Sequence, residues 1–168
     1  MKFVKMHGTG NDFIVIDARG LRRDWVKLAQ KLCDRHFGIG SDGLLLVLPS
    51  RRADFRMRMF NPDGSEAEIC GNGIRCFAKY VIDHDFTSKQ NFSVETLAGI
   101  KQLKTFSRNG QVQQVRVNMG APRLHPVDIP VRGDFTMSPV ADYPLTVAGR
   151  TLFLTFVNMG NPHAVTFI

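Results

Sequence analysis

The chain has 168 residues, 43% of them hydrophobic, with 22 Lys and Arg against 15 Asp and Glu for a net charge of +7. That length supports one good core or two small ones, and with no apolar run near the ~18 residues of a membrane span it excludes a transmembrane helix. The opening Met1-Lys2-Phe3-Val4-Lys5-Met6-His7-Gly8 lacks the apolar stretch of a signal peptide.

Residues 2–6 and 13–17 read as strands around a Gly-rich loop, His7 to Asp12. Trp25, Leu28, Ala29, Leu32, Cys33 and His36 share one helical face, so a helix is expected over 24–36, with Asp24 as N-cap and Gly38 closing it. Gly38 to Gly43 is a loop, and Leu44 to Leu48 is a buried strand. Phe55, Met57 and Met59 alternate with Arg56 and Arg58, the pattern of a half-buried strand over 54–60. Asn61-Pro62-Asp63-Gly64 is a turn. A second helix starts at Cys70 and runs to about residue 85, because Ile74, Phe77, Ala78, Val81 and Ile82 fall on one face. Three strands follow, with turns at Leu97-Ala98-Gly99 and Arg108-Asn109-Gly110.

Near residue 120 the texture changes. Pro122, Pro126, Pro130, Pro139 and Pro144, five of the eight prolines, crowd into one stretch. A boundary at Asn118-Met119-Gly120 divides a first domain, 1–118, from a second part, 119–168. Strands are expected at Thr151–Val157 and Ala164–Ile168. The fold class is α+β, mostly antiparallel strands with few helices.

Cys70-Gly71-Asn72-Gly73-Ile74-Arg75-Cys76 carries the chemistry. Cys70 precedes a Gly-Asn-Gly turn that opens a helix. Unpaired N–H groups and the positive end of the helix dipole stabilise a thiolate there, and the same amides can hold a carboxylate. Glycines beside Asn72 allow a ligand to approach the backbone. Cys33 and Cys76 fall on packed helix faces and read as core. An odd number of cysteines without a Cys-x-x-Cys pair is neither a disulfide framework nor a zinc site, and a reducing cytoplasm is the expected compartment. The basic clusters are short (Arg19, Arg22 and Arg23, then Arg51 and Arg52) and carry no interleaved aromatics, so they read as solvated surface rather than a nucleic-acid face.

Gly10-Asn11-Asp12-Phe13-Ile14-Val15 is echoed by Gly160-Asn161-Pro162-His163-Ala164-Val165, 150 positions later. The echo suggests that a second, pseudo-equivalent domain opens near the end of the chain. A counterpart of Cys70 at the same offset falls past Ile168.

Five ordered motifs resemble diaminopimelate epimerases. They are Lys5 to Phe13, Arg35 to Gly43, Phe60 to Ser65, Cys70 to Cys76 and Met159 to His163. The resemblance implies two similar α+β domains, each wrapping strands around a central helix, of which this chain holds one and part of the other. It implies interconversion of LL- and meso-diaminopimelate, on the route to lysine and peptidoglycan, with no pyridoxal phosphate and no metal. The partner is a small diamino-dicarboxylate, and the full-length protein is expected to be a cytoplasmic homodimer that binds neither nucleic acid nor membrane. Cys70 matches the first of two catalytic cysteines that face the α-carbon from opposite sides. Gly71 and Asn72 match the turn that receives the α-carboxylate. Asn11, Asn61 and Asn161 match polar residues that line the substrate site, and His163 matches a histidine beside the reacting centre. The second cysteine, a Glu-Arg pair and a final strand returning to the first domain have no counterpart here, so this chain alone is expected to be inactive. Proline and hydroxyproline racemases, phenazine-type isomerases and a non-catalytic binding protein derived from the epimerase are the rival readings. Asn72 stands against the racemases, where a histidine is the common residue.

Overall fold

The computed structural model describes residues 1–133, 135 and 138–167, and the chain forms two compact units, Met1–Asn118 and Met119–Ile168. In the first unit, β1 (Val4–Gly8) and β2 (Asn11–Asp17) make a hairpin, and α1 (Trp25–Cys33) leads to β3 (Gly43–Leu48). Then come β4 (Phe55–Phe60), the short β5 (Glu66–Ala67), α2 (Gly71–Asp83), β6 (Asn91–Thr96), β7 (Gly99–Arg108) and β8 (Gln111–Val117). The strands form one sheet in the order β1-β2-β3-β4-β6-β7-β8, with β5 paired to β4. Most neighbours are antiparallel, but β2–β3 and β4–β6 are parallel, each joined by a helical crossover. The central helix α2 touches β1, β2, β3, β4, β7 and β8, including both ends of the sheet path, so the sheet curls around it. This is the expected α+β fold of strands wrapped around a central helix.

The apolar runs of β2 and β3 are explained by burial on both faces. Ile14, Ile16, Leu44 and Leu46 pack with Trp25, Ala29 and Cys33 on the α1 side. Phe13 and Leu45 alternate with them and close on Gly73 of α2, where an added Cβ would lie 3.3 Å from Leu45 Cδ2. Ile74, Phe77, Ala78 and Val81 are fully buried, and Cys76 and Tyr80 nearly so, which makes α2 a helix covered on two sides.

In the first unit, three expected boundaries shift. The Gly-rich loop His7 to Asp12 is mostly strand: His7 pairs with Asp12 and Gly8 with Asn11. Only Thr9 and Gly10 turn, at φ of 57° and 84°, the left-handed pair that matches the twist of a tight hairpin. The first helix stops at Cys33, short of the expected residue 36. Asp34 ends it, taking the N–H groups of His36 and Phe37 on its Oδ1, so His36 leaves the helical face and is exposed. Gly38 then folds back on the helix end, where a Cβ would sit 2.3 Å from the Lys31 carbonyl oxygen. The second helix ends at Asp83, with His84 as its C-cap.

In the second unit, β9 (Tyr143–Val147), β10 (Arg150–Asn158) and β11 (Pro162–Val165) form a sheet in the order β11-β10-β9. Phe135, Tyr143 and Phe156 cluster with ring centroids 5.3–6.0 Å apart. The last expected strand, Ala164–Ile168, begins earlier and ends at Val165, and Ile168 lies outside the described residues. The echoed Gly-Asn segments occupy like places. Asn11 opens β2, the return strand of the β1–β2 hairpin, and Asn161 immediately precedes β11, the return strand from β10.

Candidate active site

Cys70 is the N-cap of α2, in extended backbone at φ −132° and ψ 119°. Its Sγ accepts the N–H of Gly73 at 3.4 Å, the bond a Ser or Asp cap ordinarily accepts. The helix itself offers no acceptor to the N–H groups of Gly71 and Asn72 in its first turn. A Cβ built on Gly71 meets nothing within 4 Å, so the segment borders open space. Cys70 is partly exposed, whereas Cys33 and Cys76 are 2% and 4% exposed. Burial raises the thiol pKa of both, that of Cys76 to about 11.

The β1–β2 turn is laid against this helix end. An added Cβ at Gly8 would lie 3.0 Å from the Asn72 carbonyl oxygen, a tight contact, so the close approach favours glycine. Arg75, one turn into α2, ties the two together. It donates to the Gly71 carbonyl at 3.0 Å, to Asn72 Oδ1 at 2.6 Å and to Thr9 Oγ1 at 3.0 Å.

Asn11, at the start of β2, reaches the sulfur. The Cys70 thiol donates to Asn11 Oδ1 at 3.6 Å, and Asn11 Nδ2 donates to Asp42 Oδ2 at 2.8 Å. Behind this pair lies an ion network. Asp12 binds Lys5 and Arg35, and Arg35 also binds Asp42 at 2.7 Å. The Arg35 guanidinium holds the Asp12 carboxyl far below the usual carboxylate range, and Asp42 is lowered chiefly by the bond from Asn11.

The structure thus joins Asn11, Cys70, Gly71 and Asn72 in one place. Asn61 sits in its own turn, with its side-chain NH2 donating to Ser65 Oγ at 2.9 Å and its carbonyl accepting from Gly64. Asn161 and His163 belong to the second unit, are exposed, and contact each other at 3.1 Å between Asn161 Oδ1 and His163 Nε2. Sequence reading missed Arg75 and Asp42. Arg75 had a signal, since residues three and four apart share a helix face. Asp42 had only its place in a quoted motif. Among the described residues, no three His, Cys, Asp or Glu side chains are grouped to hold a metal ion, and no helix is long and apolar enough to cross a membrane.

A family model for diaminopimelate epimerase matches residues 3–125. The chain belongs to the diaminopimelate epimerase family. Diaminopimelate epimerases from Caldanaerobacter subterraneus subsp. tengcongensis and Moorella thermoacetica are 52% and 53% identical across all of the chain. The chain spans 60% of the length of each of those relatives. Among solved structures, a probable proline racemase from Agrobacterium radiobacter superposes with a TM-score of 0.74 at 17% identity, over 98% of this chain and 51% of its own. A hydroxyproline epimerase from Agrobacterium vitis gives a TM-score of 0.72 at 16% identity, over 98% and 50%. At such identities the likeness is one of fold.

Proposed function

We propose that this chain supplies one half of the active site of a cofactor-independent epimerase that interconverts LL- and meso-diaminopimelate, with Cys70 as one of two acid–base thiols. The observation that carries the reading is the Cys70 cap: a partly exposed sulfur sits beside the first-turn amides of Gly71 and Asn72, to which the helix itself offers no acceptor, at the edge of open space. An amino-acid α-proton is weakly acidic, and its removal throws charge onto the carboxylate. Amides fixed where that charge develops lower the barrier, each donor contributing about 3 kcal/mol at comparable sites. Cys70 as thiolate takes the α-proton. A second thiol on the opposite side delivers a proton to the other face, which inverts the centre, and in the reverse direction the two exchange roles. Asn61, Asn161 and His163 are proposed to line the remainder of the site when substrate is bound, with the whole protein a homodimer.

Relatives at 52% and 53% identity named diaminopimelate epimerase favour this substrate over proline derivatives, whose enzymes resemble the chain only in fold. The test is turnover by the full-length gene product, with LL- and meso-diaminopimelate separated on a chiral column. Epimerisation that Cys70→Ala abolishes is expected. Preferential turnover of hydroxyproline, or full activity of Cys70→Ala, overturns the reading.

A further inference from the structure

We propose that Asp42 is a positioning residue that fixes the orientation of the Asn11 amide and, through it, the proton on the Cys70 sulfur. The proposal rests on Cys70 being the acid–base group.

A side-chain amide can present either end to a neighbour, an oxygen that accepts or an NH2 that donates. Which end meets a sulfur matters. An oxygen favours the S–H form, whereas an N–H favours the bare thiolate. Here the choice follows from Asp42. An ionised carboxylate has no proton to give, so Asn11 can meet it only with its NH2. Nδ2 stands 2.8 Å from Asp42 Oδ2, and Oδ1 is thereby turned to Cys70 Sγ at 3.6 Å.

Asp42, although partly exposed, is itself held by further bonds. Its Oδ2 also accepts the main-chain N–H of Asp12 at 3.0 Å, and its Oδ1 accepts from Arg35 at 2.7 Å. Its own N–H donates to the carbonyl oxygen of Asp12 at 2.9 Å. Lys5 and Arg35 neutralise Asp12 beside it, and Lys5 also reaches the Gly40 carbonyl. These bonds favour the ionised carboxylate and its orientation toward Asn11.

Among the described residues, the sulfur meets one acceptor, Asn11 Oδ1, and one donor, the Gly73 N–H. That pairing suits a group that must hold a proton in one direction of the reaction and lack it in the other. Without Asp42, Asn11 is able to rotate and offer its NH2 to the sulfur, and the balance moves to the thiolate.

The experiment reads Cys70 alkylation in the 168-residue chain by iodoacetamide at neutral pH, with the modified peptide mapped by mass spectrometry and the fold checked by circular dichroism. Asp42→Ala and Asn11→Ala are each expected to speed the reaction about threefold or more, the effect of one weak hydrogen bond. Their double variant is expected to go no further than either alone. In Asp42→Asn the main-chain N–H of Asp12, which the Oδ2 position also accepts, keeps the new amide's oxygen turned to the Asn11 NH2 while the ion pair with Arg35 is lost, so this variant is expected to keep the wild-type rate. A rate in Asp42→Asn equal to that in Asp42→Ala assigns the effect to the ion pair and overturns the proposal. So does an unchanged rate in folded Asp42→Ala. If Asp42→Ala does not fold, Asn11→Ala and Asp42→Asn decide: acceleration in the first alone supports the proposal, and no acceleration in Asn11→Ala overturns it. No turnover is needed for this readout, so its failure is separable from a failure of the epimerase reading.

Discussion

Arg75 donates to Oδ1 of Asn72 at 2.6 Å, three residues back along the same helix. With that oxygen occupied, what Asn72 can offer an anion is its NH2 group and its main-chain N–H. Arg75 thus sorts the two ends of the Asn72 amide toward an acidic ligand. Arg75→Met in the full-length gene product is expected to lower kcat/KM for LL-diaminopimelate about tenfold, the worth of one charge-assisted hydrogen bond. Steady-state kinetics measure it, and a change below twofold removes Arg75 from the site.

Cys70 is expected to be the first thiol modified by limiting iodoacetamide. Cys33 and Cys76 are 2% and 4% exposed and react only when the chain is unfolded. Peptide mapping after partial alkylation gives the order, and early labelling of either buried thiol defeats the assignment.

Gly71→Ala separates folding from binding. An added methyl group meets nothing within 4 Å, so the unfolding free energy is expected to stay within about 1 kcal/mol of wild type. The same methyl stands where the proposed carboxylate docks, so kcat/KM of the full-length gene product should fall at least tenfold. Urea titration and kinetics on one variant test both halves, and wild-type kinetics exclude this segment from the site.

The start of α2 and its cap were legible because Cys70, the Gly-Asn-Gly turn and the apolar offsets of Ile74, Phe77 and Val81 all state one local pattern. The hairpin at Thr9-Gly10 was harder. The polar residues His7, Asn11 and Asp12 that flank it look like loop, yet they are strand residues held by backbone pairing. The end of α1 was hidden for the opposite reason, since His36 continues the helical period while the Asp34 side chain captures the backbone beyond it. Asp42 was out of reach of any local argument. Its contact with Asn11 joins positions 31 apart and exists only once β2 and β3 lie side by side.

Stability should fall in mild alkali. The Cys76 thiol is raised by burial from its ordinary 9.0 to about 11. Below 9 the folded and unfolded thiols are both protonated. Above it the unfolded thiol ionises first, so the unfolded state gains and stability is lost progressively as pH rises from 9 toward 11. The urea midpoint is expected to drop across that window, and Cys76→Ala should flatten the slope. An unchanged slope in that variant shows that the pH dependence lies elsewhere.

The chain alone is expected not to epimerise. It has three cysteines, and the two besides Cys70 are buried in the core, so neither can face a substrate opposite it. Incubation with LL-diaminopimelate and chiral separation should show no meso isomer. Sustained turnover by a monodisperse 168-residue protein defeats the two-thiol mechanism.

The parallel pairing of β2 with β3 also sets an order of events during folding. Asn11 and Asp42 stand at the same end of two strands that meet only after the chain has looped through α1, and closing such a loop is slow compared with forming a hairpin or a helix turn. The helix that carries Cys70 can form from local contacts, whereas the surroundings of its sulfur are finished only when the crossover closes. A thiol probe fired at intervals during refolding therefore times the closure of that loop, and Cys70 serves as a clock for the assembly of the first unit.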